Sequence, residues 1–74
     1  MSISDEEFKK RLGKKIEGLR VAKNLGVREF ALIADIEHHQ LINIEKGRVD
    51  IRLKTLRKIA EGFSLTAKDL LDFE

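Results

Sequence analysis

The chain has no cysteine among its 74 residues, which excludes disulfide bonds and zinc sites built on thiolates. It also lacks a long hydrophobic run, and no stretch approaches the ~20 apolar residues that span a membrane. Near the N-terminus, Asp5, Glu6 and Glu7 carry the wrong charge for a signal peptide. We therefore expect a soluble, cytoplasmic protein with no membrane association. Proline and low-complexity segments are absent as well.

The length and composition predict a single domain that covers residues 1–74. Hydrophobic residues make up 42% of the chain and charged residues 38%, a mixture that suits a small helical domain better than a disordered one. So short a chain buries only ~60% of its unfolded surface. We therefore expect a stability of only a few kcal/mol, on the order expected for this length.

The charge is distributed unevenly along the chain, although the net charge is only +2. Residues 9–58 contain fourteen Lys and Arg against six Asp and Glu, a local charge of +8, whereas residues 1–8 and 59–74 each carry −3. A basic middle between acidic ends is typical of a surface that binds a polyanion. A lysine-rich helical surface that faces only solvent would have the same pattern, so the charge alone leaves both interpretations open.

Five short stretches share one order of residues: an apolar residue, a candidate cap, two free positions, a polar residue and a second apolar residue. They lie at residues 3–8, 25–30, 36–41, 51–56 and 65–70. A helix start needs this order, because the cap satisfies free N–H groups and the outer apolar pair forms a hydrophobic staple. Ser4 and Thr66 are good caps and Gly26 is acceptable, whereas Glu37 and Arg52 are poor.

The pattern predicts five helices, at about residues 5–23, 27–33, 38–46, 53–62 and 67–71. Gly47 is a natural C-terminal cap for the third. The first helix should face inward with Phe8, Leu12, Ile16 and Leu19. The fourth should face inward with Leu56, Ile59, Ala60 and Phe63. Only Ala34, Asp35 and Ile36 lie between the second helix and Glu37, the candidate cap of the third, which favours a sharp crossing. We predict an all-α, compact five-helix bundle that contains a helix-turn-helix.

The third helix has a polar outer face. With about 100° per residue, His39, Asn43 and Lys46 lie opposite Leu41. His38, Gln40 and Ile42 lie near that face. Asn and Gln can pair bidentately with adenine, and polar residues at the start of such a helix reach base edges in a major groove.

Metal binding and catalysis compete poorly with this interpretation. Neighbouring helical histidines point ~100° apart, whereas chelating pairs are spaced i, i+4, so we expect no metal and no cofactor. The chain has no cysteine nucleophile, and Ser2, Ser4 and Ser64 lie outside the third helix, so we do not expect an enzyme. An exposed helix start without any ligand remains an alternative.

One set of residues spans most of the chain: Leu19-Arg20, Phe30-Ala31, Ile36, Leu41, Ile44-Glu45-Lys46-Gly47, Leu53, Thr55-Leu56, Ile59-Ala60 and Leu70-Leu71. At these spacings, from about residue 12 to 71, the sequence resembles the lambda-repressor-like helix-turn-helix family. This is the phage repressor and Cro type, also called the xenobiotic-response-element family. The resemblance implies sequence-specific binding of double-stranded DNA, usually as a dimer.

The resemblance also implies roles for individual residues. The base-reading residues would be His38, His39, Gln40 and Asn43. Apart from the resemblance, the candidate phosphate contacts are Arg28, Lys46, Arg48, Arg52 and Lys54, although a solvated charge explains each of them equally well. Arg20 and Glu45 match a pair that forms a buried, structural ion pair between the first and third helices.

The chain departs from the family pattern at six positions, among them Ile51 and Arg52, where the family frequently has proline and a serine cap. Gly26 and Val27 stand where the family usually has Ser and Gln, which removes a good cap and a phosphate contact. Asp35 occupies a turn position where Gly is common and positive φ is often needed; Asp tolerates it better than most residues. Ile42 places an apolar side chain where the outer face is normally polar.

We predict a small bacterial or phage transcriptional regulator that binds a palindromic operator as a homodimer. The last helix has more apolar surface than it can bury alone, so we expect the dimer contact at Leu65, Leu70, Leu71 and Phe73. The main alternative is a protein-interaction module such as an antitoxin or anti-repressor, which Val27 and Ile42 favour. Phage repressor, antitoxin and restriction–modification controller are not separated by the sequence.

Overall fold

The computed structural model describes residues 3–73, whose regular structure is entirely helical. The helices are α1 (Asp5–Ala22), α2 (Val27–Ala34), α3 (His38–Glu45), α4 (Leu53–Gly62) and α5 (Ala67–Leu70). The prediction of five helices in an all-α bundle is confirmed, with ends that differ by one residue. Lys23, Lys46 and Leu71 were expected inside helices and are instead their C-terminal caps.

Side-chain caps begin the first and last helices. The Ser4 hydroxyl accepts from the Glu7 N–H at 3.1 Å. At α5 the Thr66 hydroxyl accepts from the Asp69 N–H at 3.1 Å, and the Asp69 carboxylate accepts from the Thr66 N–H at 3.2 Å. The backbone hydrogen bond from Thr66 is the main reason why the pKa of Asp69 lies below its usual value. These are the good caps that the sequence indicated.

The sequence predicted weak caps at the starts of α3 and α4, and these two helices have no side-chain cap. Glu37 and Arg52 accept from Leu41 N–H and Leu56 N–H only through their backbone carbonyls, and neither side chain caps its helix. Each of these helices instead buries two large apolar side chains, Leu41 and Ile44 in α3 and Leu56 and Ile59 in α4. Burial of such a side chain contributes roughly 1.5–3 kcal/mol, more than a cap does. Tertiary packing therefore stabilises the two starts.

Every helix supplies one fully buried side chain to a single core. These five are Ile16, Phe30, Leu41, Ile59 and Leu70. Phe30 also stacks on Phe63, with ring centroids 4.0 Å apart and planes 14° apart. The predicted inward face of α4 is confirmed, since Leu56, Ile59, Ala60 and Phe63 are all buried.

Two apolar predictions need correction. Leu70 is fully buried within its own chain, so it has no surface to offer a second subunit and our assignment of it to a dimer contact is wrong. Phe8 was expected in the core stripe of α1 but is 43% exposed. Phe8 lies near the start of α1. Its ring packs edge-on against the ring of Phe73, with the two ring centroids 5.2 Å apart.

The turn between α2 and α3 is sharp because Asp35 adopts a left-handed conformation, with φ of 60° and ψ of 49°. Asp accepts this conformation more readily than most residues, as the sequence indicated. The next residue continues the turn, since the Ile36 N–H donates to the Ala31 carbonyl at 3.0 Å. From α4, the Lys58 ammonium donates to the Asp35 carbonyl at 3.0 Å. This contact ties the turn to the bundle.

Candidate nucleic-acid interface

Helix α3 has a buried side and an outer side, as the helical wheel predicted. Leu41 and Ile44 are buried in the core. His39 and Lys46 are exposed, and Asn43 is half-buried. The buried side of α3 therefore packs the helix into the bundle, and its outer side remains accessible for contacts.

An ion pair between Arg20 of α1 and Glu45 of α3 connects the two helices. The Arg20 Nε donates to Glu45 Oε2 at 2.8 Å and its Nη2 donates to Glu45 Oε1 at 3.0 Å. Its Nη1 donates to the Leu25 carbonyl at 2.7 Å, in the loop before α2. The two side chains are only 11% and 6% exposed. The hydrogen bond to Glu45 is the main cause that raises the pKa of Arg20 above its usual value.

Val27 and Ile42 line one small cleft together with Arg20 and Glu45. Both apolar side chains are half-buried. They stand next to the ion pair, whose own side chains are only slightly exposed.

His38 and His39 lie closer together than their positions on a helix suggest. Their ring centroids are 4.2 Å apart, with planes tilted by 38°. His38 is the first residue of α3, so no preceding turn restricts its side chain and the ring can fold back. Desolvation, then electrostatic repulsion from the neighbouring Arg28 and His39 side chains, holds the pKa of His38 below its usual value. A neutral His38 at pH 7 offers one donor and one acceptor.

The remaining two base-reading candidates make side-chain hydrogen bonds within the chain. Gln40 Nε2 donates to Thr55 Oγ1, in α4, at 3.3 Å. The Asn43 carbonyl oxygen, Oδ1, accepts from Arg48 Nη1 at 3.3 Å. Sequence reasoning missed both partners. Nothing in the sequence pairs Gln40 with Thr55, whereas Arg48 directly follows Gly47 at the end of α3 and is therefore close to Asn43.

The five candidate phosphate-binding cations are all exposed: Arg28, Lys46, Arg48, Arg52 and Lys54. They lie around α3 rather than on one side of it. Arg28 and His38 line a cleft between α2 and α3. Arg52 and Lys54, at the start of α4, line a second cleft with Gln40. Helix starts carry a partial positive charge, so the starts of α2 and α4 add to the attraction for anions.

Residues 3–73 contain no candidate metal cluster and no candidate membrane helix. No three His, Asp or Glu side chains in this part of the chain gather where they could hold a metal ion. Among the described helices, none combines the length and the apolar character that a membrane span requires.

A family model described as a helix-turn-helix domain matches residues 13–73. The chain belongs to this family. It is a lambda-repressor-like helix-turn-helix protein, and this class consists of DNA-binding transcriptional regulators rather than enzymes. A curated relative, the control protein C.BamHI of Bacillus amyloliquefaciens, is 31% identical over 62 residues, which cover 82% of this chain and 76% of that protein.

Solved structures of similar fold include two regulators. The HTH_3 family transcriptional regulator from Vibrio cholerae has a TM-score of 0.84 and 25% identity. The similarity covers 90% of this chain but only 38% of that one, so this chain spans well under half of that protein. The restriction-modification controller protein C.AhdI from Aeromonas hydrophila has a TM-score of 0.79 and 21% identity, with 82% and 92% of the two chains covered.

Proposed function

We propose that this protein recognises a specific double-stranded DNA sequence by placing α3 in the major groove. The observation that carries the proposal is that the two sides of α3 differ. On one side Leu41 and Ile44 are buried in the core and Glu45 is paired with Arg20. On the outer side His39 and Lys46 are exposed. A recognition helix must be rigidly held while its outer side chains remain free to reach base edges.

The exposed cations around α3 would set the position of the protein on DNA. Contacts with phosphates fix register and orientation but carry no sequence information. We assign these contacts to Arg28, Lys46, Arg48, Arg52 and Lys54. Discrimination between sequences is assigned to His38, His39, Gln40 and Asn43. The charge of +8 in residues 9–58 supports a polyanionic partner.

Selection from a random library of DNA duplexes tests this function. We expect one sequence to be enriched, with an affinity that falls steeply as salt concentration rises. Lys46→Gln should weaken binding to selected and random DNA alike and reduce the slope of log affinity against log salt by about one. Lys68→Gln is the matched control, because Lys68 is exposed on α5, within the acidic end of the chain, and its removal should leave the slope unchanged.

Absence of any enriched sequence, or an affinity that ignores salt, would contradict DNA recognition. It would favour the second candidate, a protein-interaction module of the antitoxin or anti-repressor kind. The observation in favour of that candidate is the exposure of two leucines, Leu32 at 83% and Leu53 at 79%, which a protein partner would cover. Val27 and Ile42, half-buried apolar residues that line a cleft beside the ion pair, also favour it.

We further propose that the protein acts as a homodimer on a palindromic operator, with half-sites about one helical turn apart. Leu71 is 38% exposed at the end of α5. Leu65 and Phe73, both half-buried against the core, border the same end of the chain. These three residues replace the four-residue contact first predicted, since Leu70 is inside the core.

Leu71→Glu should convert the dimer to monomer, because a charge in an apolar contact loses its hydration without gaining a partner. Sedimentation velocity at several protein concentrations measures the change. Val21→Glu is the control, since Val21 is an exposed apolar residue on α1 and the variant should remain dimeric. A dimer that survives Leu71→Glu unchanged would refute this placement of the interface.

A further inference from the structure

Both histidines of the chain lie side by side at the start of α3, on or beside the outer face of that helix. The ring centroids of His38 and His39 are 4.2 Å apart. A proton on one ring therefore disfavours a proton on the other, because two like charges would stand close together. The pair behaves as one titrating unit that gains its protons in coupled steps.

A cation from α2 adds to this repulsion. Arg28 lines the same cleft as His38 and His39, and a guanidinium keeps its charge throughout the range in which histidine titrates. Desolvation, then repulsion from Arg28 and His39, lowers the pKa of His38, whereas the nearby Glu37 carboxylate acts in the opposite direction. In the free protein the cluster therefore disfavours the protonated form of His38.

The charges of α4 strengthen this effect. A second cleft, which Glu37 also lines, contains Asp35, Arg52, Lys54 and Lys58. The Asp35 carboxylate is already paired with the Lys58 ammonium, at 3.4 Å. Arg52 and Lys54 are exposed cations. The charged groups around the two histidines therefore carry more positive than negative charge.

A bound polyanion would reverse this balance. Phosphates would neutralise the cations that oppose protonation, Arg28 among them, and would attract a positively charged imidazole. A group that holds its proton more tightly in the complex than in the free protein strengthens binding at low pH. That gain is lost as the pH rises through the range in which the bound group titrates. DNA binding should therefore be accompanied by uptake of protons.

We propose that His38 and His39 form a proton-linked switch that strengthens DNA binding as the pH falls below neutral. This inference rests on the proposed DNA recognition and adds a regulation of the same surface. It requires no particular base at either histidine, because charge acts on all the phosphates within roughly a Debye length. The chain has no cysteine and no third histidine, so no other side chain has an ordinary pKa between about 5 and 8.

Affinity measured at about pH 5.5 and about pH 7.5 tests the switch, because carboxylates remain ionised across this range. The natural protein should bind its selected duplex about fivefold more tightly at the lower pH. The double variant His38→Gln/His39→Gln has polar side chains that take up no proton, so its affinity for the same duplex and for random DNA should not depend on pH. Lys46→Gln is the matched control, because it removes a charge that does not titrate in this range. It should weaken binding at both pH values and preserve their ratio.

Nuclear magnetic resonance of the His38 ring tests the cluster in the absence of DNA. In Arg28→Gln the ring should gain its proton at a higher pH than in the natural protein, because a repelling cation is gone. Lys68→Gln, on α5, should leave the titration of His38 unchanged. Addition of the selected duplex to the natural protein should shift the titration of the ring to higher pH.

The results separate the switch from the proposed function. An affinity that is equal at the two pH values, or greater at the higher one, overturns the switch while DNA recognition stands. A pH dependence that the double variant retains also overturns it, because other groups would then be responsible. Failure of the natural protein to enrich any sequence overturns the proposed function and, with it, the switch. The Arg28→Gln titration then distinguishes a missing DNA partner from a missing charge cluster.

Discussion

Arg20→Met should lower the free energy of unfolding by about 3–5 kcal/mol, the loss expected when one member of a buried ion pair is removed. The variant leaves the Glu45 carboxylate, 6% exposed, without its partner, and removes the donor to the Leu25 carbonyl. A chain of 74 residues has a stability of only several kcal/mol. We therefore expect Arg20→Met to be largely unfolded at 25 °C, as measured by circular dichroism in a urea titration.

Two further variants distinguish the loss of the ion pair from the loss of any one positive charge as the cause of the lower free energy of unfolding. In the double variant Arg20→Met/Glu45→Met no charge remains buried, so most of the stability should return. Arg57→Met is the surface control, because Arg57 and Glu61 pair at 3.5 Å with side chains 76% and 69% exposed, and such pairs contribute less than about 1 kcal/mol. A loss in Arg20→Met as small as that in Arg57→Met would contradict the structural role of the pair.

Gly13→Ala should have the second largest effect, through the crossing of α1 and α3. A Cβ at Gly13 would lie 2.5 Å from the Ile44 carbonyl oxygen and would also overlap the Glu45 carbonyl oxygen. Both are backbone atoms of α3, so they can move aside only if the helix moves. We expect a loss of about 1–3 kcal/mol from this overpacking, and a displaced α3 that binds DNA less well.

Gly18→Ala is a matched control on the same helix. Nothing lies within 4 Å of a Cβ placed there. Alanine is a better helix former than glycine, so this variant should gain roughly 0.5–1 kcal/mol. Thermal unfolding should therefore show a lower melting temperature for Gly13→Ala and a higher one for Gly18→Ala. In a domain of this size each kcal/mol shifts the melting temperature by about 4–8 °C. If both variants raised the melting temperature, the close crossing would be refuted.

The positions of the helices could be predicted because the signals that begin and end them are local. Ser4 and Thr66 act on N–H groups three residues away, and Gly47 acts on the turn that precedes it. Spacing along the helices likewise showed that Leu41 and Ile44 face one way and His39 the other. Interactions within one turn depend on residues that are neighbours in the chain, so the order of residues reveals them.

Periodicity did not show how much of an apolar face its neighbours cover. Leu70 and Leu71 both belong to the apolar end of the chain, yet the first is fully buried and the second exposed. The spacing of α1 likewise placed Phe8 with Leu12, but the core ends before Phe8. Burial depends on where other helices lie, and neither composition nor spacing specifies that.

The sequence alone therefore determined the five helices, the sharp joint before α3 and the residues on its outer face, because capping and helical spacing act over three or four residues. Only the tertiary structure decided that Gln40 meets Thr55 and that Val27 and Ile42 flank the buried pair of Arg20 and Glu45. These contacts join different helices, and they depend on the angle and distance at which those helices cross. That geometry results from packing the whole core at once rather than from any single segment.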